Sequence, residues 1–206
     1  MARKIYAISC INVGVGPGGT TSMLCRIAIV DVRGNTVLDA YVAPTMKITD
    51  YRTATTGIEP THLSAFPFSS SLLFDNHRFS IENAQRFTDI QQYVASLIKG
   101  HILVGHCIWN DLSVLGVPHP AVDTRDVALY QPFKNALRSP NHIVGLQTLS
   151  WQLMCRRCQE SEQNPLENAR AALDLYRSDS KDWENSISSG SWPCTLPPST
   201  FSRCYL

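Results

Sequence analysis

A glycine-rich turn between two strand-like runs constrains the fold of this chain more than any other feature of its sequence. Residues 4–13 are apolar and rich in Ile, Val and Tyr, and the run MLCRIAIVDV follows the glycines. A tight-turn signal at residues 33–35 then leads into a third run, TVLDAYVAP. Runs of this composition separated by short turns predict strands that pair with their neighbours along the chain. Residues 4–44 therefore predict an antiparallel meander of three strands.

The glycines also match a nucleotide-binding pattern, which the surrounding sequence excludes. Gly14, Gly16 and Gly19 fit G-x-G-x-x-G. That fingerprint works only where a helix follows directly and points its N-terminal amides at a pyrophosphate. A strand is predicted to follow here, and the Gly-Lys-Ser/Thr of a phosphate-binding loop is absent. We therefore expect a glycine-rich hairpin loop.

The second half of the chain alternates helices and strands. Residues 82–99 carry apolar side chains at helical spacing, with Gly100 as the stop signal, and HILVGH reads as a short buried strand. Further helices are predicted to open at Asn110 and at Pro165. Strands followed by alternating helix and strand predict an α/β fold, a mixed sheet with helices on both faces.

Composition limits the class of protein. The chain has 206 residues, 44% of them hydrophobic, and a formal net charge of +1. One domain is expected, without a strong field for nucleic acid or anionic membranes. There is no membrane-length apolar run and no secretory signal, so we expect an intracellular protein, nuclear or cytoplasmic, with no membrane partner. Cys155 and Cys158 are expected to be unpaired thiols on a helix, since a zinc site would need a second pair.

Two segments depart from the α/β pattern. Residues 66–80 form a long stretch of serines and aromatics without a period, and residues 186–206 are rich in Ser and Pro. We expect a domain over residues 1–185 with an irregular insert at 66–80, followed by a disordered tail. The insert is either a surface excursion or an artefact of the gene model, and the tail leaves the same two alternatives.

Five blocks carry a resemblance to a known family: AISCINVGVGPGG, ITDYRTATTGI, ILVGHCIWNDLSVL, PHPAVDTRDVALYQPF and NPLENARAALDLYR, in that order. Together they resemble the DEDDh 3′-5′ exonucleases of the RNase H-like fold. The most similar branch holds the interferon-stimulated and ribosomal-RNA-processing exonucleases of eukaryotes. The resemblance covers residues 4–184 apart from the insert. It implies the antiparallel meander extended by parallel strands.

The resemblance also implies a catalytic site, most of which is substituted here. Members of the family hold two Mg or Mn ions with four carboxylates and use a histidine as general base. The family's Asp-x-Glu falls on Ser9 and Ile11, and the histidine and last aspartate fall on Gln163 and Asn168. Only the third carboxylate is retained, as Asp111.

A neutral set of side chains at these positions has a chemical consequence. Phosphodiester cleavage without catalysis is extremely slow, and the two metals supply most of the charge stabilisation in such sites. One aspartate does not hold two cations, so weak or absent metal binding is expected and no cofactor is predicted. The sequence therefore predicts a pseudo-exonuclease, whose remaining role is to bind RNA or DNA 3′ ends.

Candidate nucleic-acid contacts lie in the retained blocks. Arginines and lysines are candidates for phosphate contacts, and aromatic side chains are candidates for base stacking. For the tryptophan, a place in the core is the stronger expectation, and the histidine is more typical of a strand-end residue bonded to backbone. The candidates are Tyr51, Arg52, His106, Trp109, Arg125, Lys134 and Arg138.

Two other functions stay open at the level of sequence. The apolar side chains of the insert, such as Phe66 and Phe74, are able to dock on a protein partner, which would make the chain an interaction scaffold. An active 3′-5′ exonuclease on RNA or DNA would require other acids, such as Glu167, to replace the lost ligands. Adjacent helix residues point in different directions, which argues against that replacement.

Overall fold

A mixed sheet forms the centre of the molecule in the computed structural model, which describes residues 3–63 and 84–205. Within these residues the sheet has six strands in the order β3-β2-β1-β5-β6, with β4 paired to β1. The predicted insert at 66–80 lies outside the described residues. The strands are β1 (Ile5–Val15), β2 (Thr21–Asp31), β3 (Thr36–Tyr41), β4 (Ile48–Asp50), β5 (Ile102–Gly105) and β6 (Thr124–Asp126).

The strand directions confirm the predicted meander and its parallel extension. β1 and β2 are antiparallel with Cys10 opposite Ile27, and β2 and β3 are antiparallel with Ile27 opposite Ala40. β5 lies parallel to β1 with Val104 opposite Ala7, and β6 is parallel to β5. β1 is thus the strand at which the antiparallel and parallel halves of the sheet meet.

The glycine-rich turn is a hairpin connection, as predicted, because β2 and not a helix follows it. A Cβ added to Gly14 would lie 2.6 Å from the carbonyl oxygen of Gly19. Gly19 has φ +66°, and a Cβ there would lie 2.8 Å from Cβ of Asp50. The glycines therefore allow the turn to fold tightly against its own strand and β4.

Helices cover both faces of the sheet. One face packs apolar residues of β1 and β2 against α2 and α3, and the other packs Ala7 and Val104 against the small residues of α6. The predicted α/β class is confirmed. The helices are α1 (Thr53–Thr56), α2 (Phe87–Ile98), α3 (Ile108–Leu115), α4 (Gln131–Ala136), α5 (Leu146–Met154) and α6 (Pro165–Ser188). No helix in the described part of the chain is long and apolar enough to span a bilayer.

Helix boundaries differ from the predictions where tertiary contacts decide them. α3 begins at Ile108 and not at Asn110, because the buried carboxylate of Asp126 accepts hydrogen bonds from the amides of Cys107 and Ile108. α5 ends at Met154, and Cys155 follows with φ +52°. The expectation that Cys155 and Cys158 share a helix is therefore wrong.

The C-terminal segment is packed on the domain, contrary to the predicted disorder from residue 186. α6 continues to Ser188, and a 3-10 helix spans Ser199–Cys204. The amide of Gln131 donates to Pro193 O at 2.9 Å, and the amide of Thr195 donates to Leu129 O at 2.8 Å. Composition predicted disorder because the segment has no apolar period. It is ordered because its backbone pairs with that of the domain.

His119 joins the C-terminal segment to the domain. Its amide donates to Cys204 O at 3.0 Å, its side chain is buried, and its Nε2 has no hydrogen-bond partner. Burial lowers the pKa of His119 to about 4, although a hydrogen bond with the backbone of His101 opposes this shift.

We expect the fold to lose stability on acidification through His119. The unfolded chain takes up a proton below about pH 6.5, whereas the folded chain does so only near pH 4, so the free energy of unfolding falls by about 2 kcal/mol from pH 7.5 to pH 5. Urea unfolding of His119→Phe should have a flatter pH dependence than wild type over this range. The exposed His142, changed to Asn, is the matched control and should keep the wild-type slope.

Candidate functional site

The first two substituted positions lie on β1. Ser9 is half-buried. Ile11 is 2% exposed and packs in an apolar cluster with Val13, Ile58 and Leu63. An alkyl side chain has no lone pair to offer a cation. The strand therefore presents a hydrocarbon surface at the second ligand position.

The retained acid, Asp111, faces the backbone between these two residues. It lies in the first turn of α3, is buried, and accepts a hydrogen bond from the amide of Cys10 at 3.3 Å. Burial raises the pKa of Asp111 well above its ordinary value, and the charge of Asp126 adds to that rise, while the Cys10 amide opposes it. The carboxyl group thus contacts the backbone of β1 through the Cys10 amide.

Asn168 at the fourth ligand position is satisfied by a neighbouring side chain. It is buried on α6, and its Oδ1 accepts from Nε2 of Gln159 at 2.9 Å. Gln159 has φ +57°, and its backbone N–H donates to Oε2 of Glu167 at 3.0 Å. A neutral amide donor therefore occupies the place at which a carboxylate would meet a cation.

Gln163, at the predicted position of the general base, is held through its backbone. Its amide donates to Thr55 O at 2.9 Å, and a Cβ on Gly57 would lie 2.3 Å from Oε2 of Glu162. The loop before α6 is thus packed closely against α1 and the residue that follows it. The side chain of Gln163 is half-buried. It is an amide, which does not accept a proton near neutral pH.

The metal pair implied by the family resemblance does not fit this set of donors. Mg²⁺ prefers hard and usually charged oxygen ligands, and four of the five positions are neutral. No group of three or more His, Cys, Asp or Glu residues suited to a metal occurs within residues 3–63 and 84–205. The assignment of Ser9, Ile11, Asp111, Gln163 and Asn168 to the site stays a prediction of the sequence.

Arg125 is an internal residue, so its predicted contact with phosphate is wrong. It is 1% exposed, and its guanidinium forms two hydrogen bonds to Glu184, at 2.7 and 2.9 Å. Lys134 is also buried, with Nζ 3.2 Å from Oγ1 of Thr195. Both cations support the packing of α6 and the C-terminal segment.

Trp109 lies in the core, as expected for this residue in preference to base stacking. It is 3% exposed and packs with Ala128, Leu129, Phe201 and Tyr205. Because the last residues of the chain cover its indole, no base has access to the ring.

Of the remaining candidates, His106 and Arg52 contact backbone carbonyl groups. Nε2 of His106 lies 2.8 Å from Val144 O, which matches a strand-end histidine bonded to backbone. Arg52 has φ +52° and donates from Nη2 to Gly19 O at 3.0 Å, so it clamps the glycine turn. Tyr51 is partly buried against the cluster around Ile11, and Arg138 is exposed.

Two residues that position the site were not identified from sequence. Asp126 accepts from the amides of Cys107, Ile108 and Ala128 at 3.0, 2.7 and 2.9 Å. Asp126 lies within one of the five blocks of the resemblance, but its residue type alone does not indicate that it accepts three backbone amides. Gln159 lies outside every block of the resemblance, so no sequence signal pointed to it.

Curated proteins of similar sequence are RNA exonucleases, although no family model matches the chain. RNA exonuclease 4 of Mus musculus is 35% identical over 194 residues, which is 94% of this chain and 40% of that protein. RNA exonuclease 4 of Homo sapiens is 37% identical over 182 residues, 88% of this chain and 38% of that protein. The chain thus spans about two fifths of the length of these relatives.

Solved structures of similar fold include exonuclease modules of Pan2. The Pan2 catalytic unit of Neurospora crassa, with its protease and nuclease domain, has a TM-score of 0.68 at 21% identity, covering 91% of this chain and 28% of that one. The Saccharomyces cerevisiae Pan2 pseudoubiquitin hydrolase-RNA exonuclease module in complex with A7 RNA has a TM-score of 0.70 at 24% identity, covering 92% and 30%. At this identity the likeness shows the fold, which is the predicted RNase H-like one.

Replacement of the retained acid should stabilise the protein at high pH. Asp111→Asn keeps an oxygen for the Cys10 amide and removes a buried charge. Because the folded pKa is raised, wild type gains stability as the pH falls from 8 towards 5, and the variant does not. We expect Asp111→Asn to exceed wild type in free energy of unfolding at pH 8, with the difference shrinking by pH 5. A variant less stable than wild type at pH 8 would contradict the raised pKa.

The neighbouring acid should respond in the opposite direction. Asp126→Asn presents an amide group to three backbone donors that need acceptors. We expect it to lower the free energy of unfolding by about 2–3 kcal/mol at pH 7. Chemical unfolding of Asp111→Asn and Asp126→Asn side by side distinguishes the structural role of Asp126 from that of Asp111, the retained acid.

Proposed function

The chain belongs to the DEDDh-type RNA exonuclease family, and on that premise we propose that it is a pseudo-exonuclease, which binds RNA 3′ ends without hydrolysing them. The observation that carries this proposal is the neutral donor set around β1. Ile11 is buried in an apolar cluster, and Asn168 bonds to the amide of Gln159.

Hydrolysis by this family depends on charge that the chain no longer supplies. A bound metal pair stabilises the attacking and leaving oxygens during displacement at phosphorus. The residues at these positions form hydrogen bonds within the protein. Asp111 accepts from backbone, and the amide of Gln163 ties its loop to α1. None of the substituted positions places an acidic or basic group where water would be activated.

The support for RNA as the ligand comes from relatives and neighbours. The curated relatives are named RNA exonucleases, and the Pan2 modules were solved with RNAs such as A7 and AAUUAA. Loss of carboxylates also leaves the substituted positions less repulsive to phosphate. With a net charge of +1, affinity should depend on local contacts rather than on a long-range field.

Nuclease activity should be absent in wild type and gained on restoration. We expect no shortening of end-labelled single-stranded RNA in Mg²⁺ or Mn²⁺. Four substitutions, Ser9→Asp, Ile11→Glu, Gln163→His and Asn168→Asp, should produce metal-dependent trimming from the 3′ end. Adding Asp111→Asn to this variant is the matched control and should abolish the trimming, since it removes the native carboxylate that completes the set of four with the three restored ones.

The folding of the restored variant needs its own measurement, because Ile11→Glu puts a carboxylate into an apolar cluster. We expect its Tm to be lower than that of wild type without metal and to rise by several degrees with millimolar Mg²⁺, whereas wild type should change little. Wild-type protein that trims RNA with Mn²⁺ and stops when chelator is added would overturn the proposal.

RNA binding without cleavage is the other half of the proposal. Wild type should bind a labelled single-stranded RNA, with affinity that falls as salt rises from 50 to 200 mM. A matched duplex with blunt ends should bind more weakly, since its 3′ end is paired. Absence of binding at low salt would favour an interaction scaffold instead.

A further inference from the structure

A groove of about 460 Å³ lies between α5 and the loop that follows it. The helix contributes Gln147, Thr148, Trp151 and Gln152, whose spacing places them on one face. The opposite face of α5 packs in the core through Leu146 and Leu149. The groove therefore presents an exposed face of α5, opposite the face that packs in the core.

An exposed tryptophan lies in this groove beside an arginine. Trp151 is 45% exposed, and the guanidinium carbon of Arg157 lies 5.4 Å from the centre of its ring. Arg157 also bonds to Glu160 at 3.2 Å, and both charged side chains are mostly exposed. The cation–π contact orients the indole while part of its surface stays open to solvent.

The other groove residues supply hydrogen-bonding groups. Glutamine amides and a threonine hydroxyl are able both to donate and to accept, which suits the mixed edges of unpaired bases. The groove holds one cation and one anion among these residues, so it is not a phosphate clamp. Stacking on indole and guanidinium is the interaction that this chemistry favours, and it serves any base.

Hydrogen bonds connect the groove with the substituted site. Nε2 of Gln147 donates to Gln159 O at 3.3 Å, and Nε2 of Gln159 donates to Asn168 Oδ1 at 2.9 Å. Gln159 thus bridges Gln147 of the groove and Asn168 at the fourth ligand position.

We propose that the groove of Trp151 and Arg157 is a stacking subsite for unpaired bases of single-stranded RNA. This inference rests on the proposed RNA-binding function and adds a place on the molecule where that binding occurs. It places base stacking at the exposed Trp151, whereas Trp109, for which the sequence favoured the core over stacking, is buried.

Equilibrium binding of a labelled single-stranded RNA to the full chain tests the subsite. Trp151→Ala should weaken binding about tenfold, and Trp151→Phe should recover most of that loss because it keeps a ring for stacking. Trp192, which is 42% exposed on the C-terminal segment, is the matched control, and Trp192→Ala should bind like wild type. Glu160→Gln releases Arg157 from its ion pair and should strengthen binding a few-fold.

The outcomes distinguish this inference from the proposed function. Wild-type binding that Trp151→Ala leaves unchanged overturns the subsite and leaves RNA binding elsewhere on the domain intact. Equal losses in Trp151→Ala and Trp192→Ala overturn it as well, since they would report general loss of aromatic surface. Wild-type protein that binds no RNA overturns both proposals.

Discussion

The carboxylate of Asp126 fixes the geometry on which the site depends. It accepts three backbone amides, from Cys107, Ile108 and Ala128, and so joins the end of β6 to the start of α3. Cys107 is held at φ +55°, a backbone conformation that costs energy and persists only where the surroundings enforce it. With the helix start fixed, Asp111 lies in its first turn and meets the Cys10 amide of β1.

The substituted site is stable because its groups satisfy one another. Four clustered carboxylates repel when no cation is present, whereas Ile11 adds to an apolar cluster and Asn168 shares a hydrogen bond with Gln159. In the proposed pseudo-exonuclease, loss of the ligands would remove a cost of folding as well as the metal. The same arrangement would make the family relationship compatible with the proposed absence of hydrolysis, since the fold needs none of the lost charges.

Several cations of the chain stabilise the domain and are not available to an anionic ligand. Arg125 pairs with Glu184, Lys134 contacts the C-terminal segment, and Arg52 clamps the glycine turn. The C-terminal segment also covers Trp109. The proposed binding of RNA would then draw on exposed surface groups, such as the aromatic and amide groups of the groove on α5.

Sequence alone determined the fold, because period, turn chemistry and the five ordered blocks act locally along the chain. The meander, the hairpin at the glycines and the loss of charged ligands at Ser9, Ile11 and Asn168 follow from residue types in order. Burial and partnership are not local. Arg125 and Arg157 are both arginines in polar surroundings of the sequence, yet one is 1% exposed and the other lies over Trp151. Only the packing of α6 and the C-terminal segment decided which of them meets solvent, because that packing joins residues far apart along the chain.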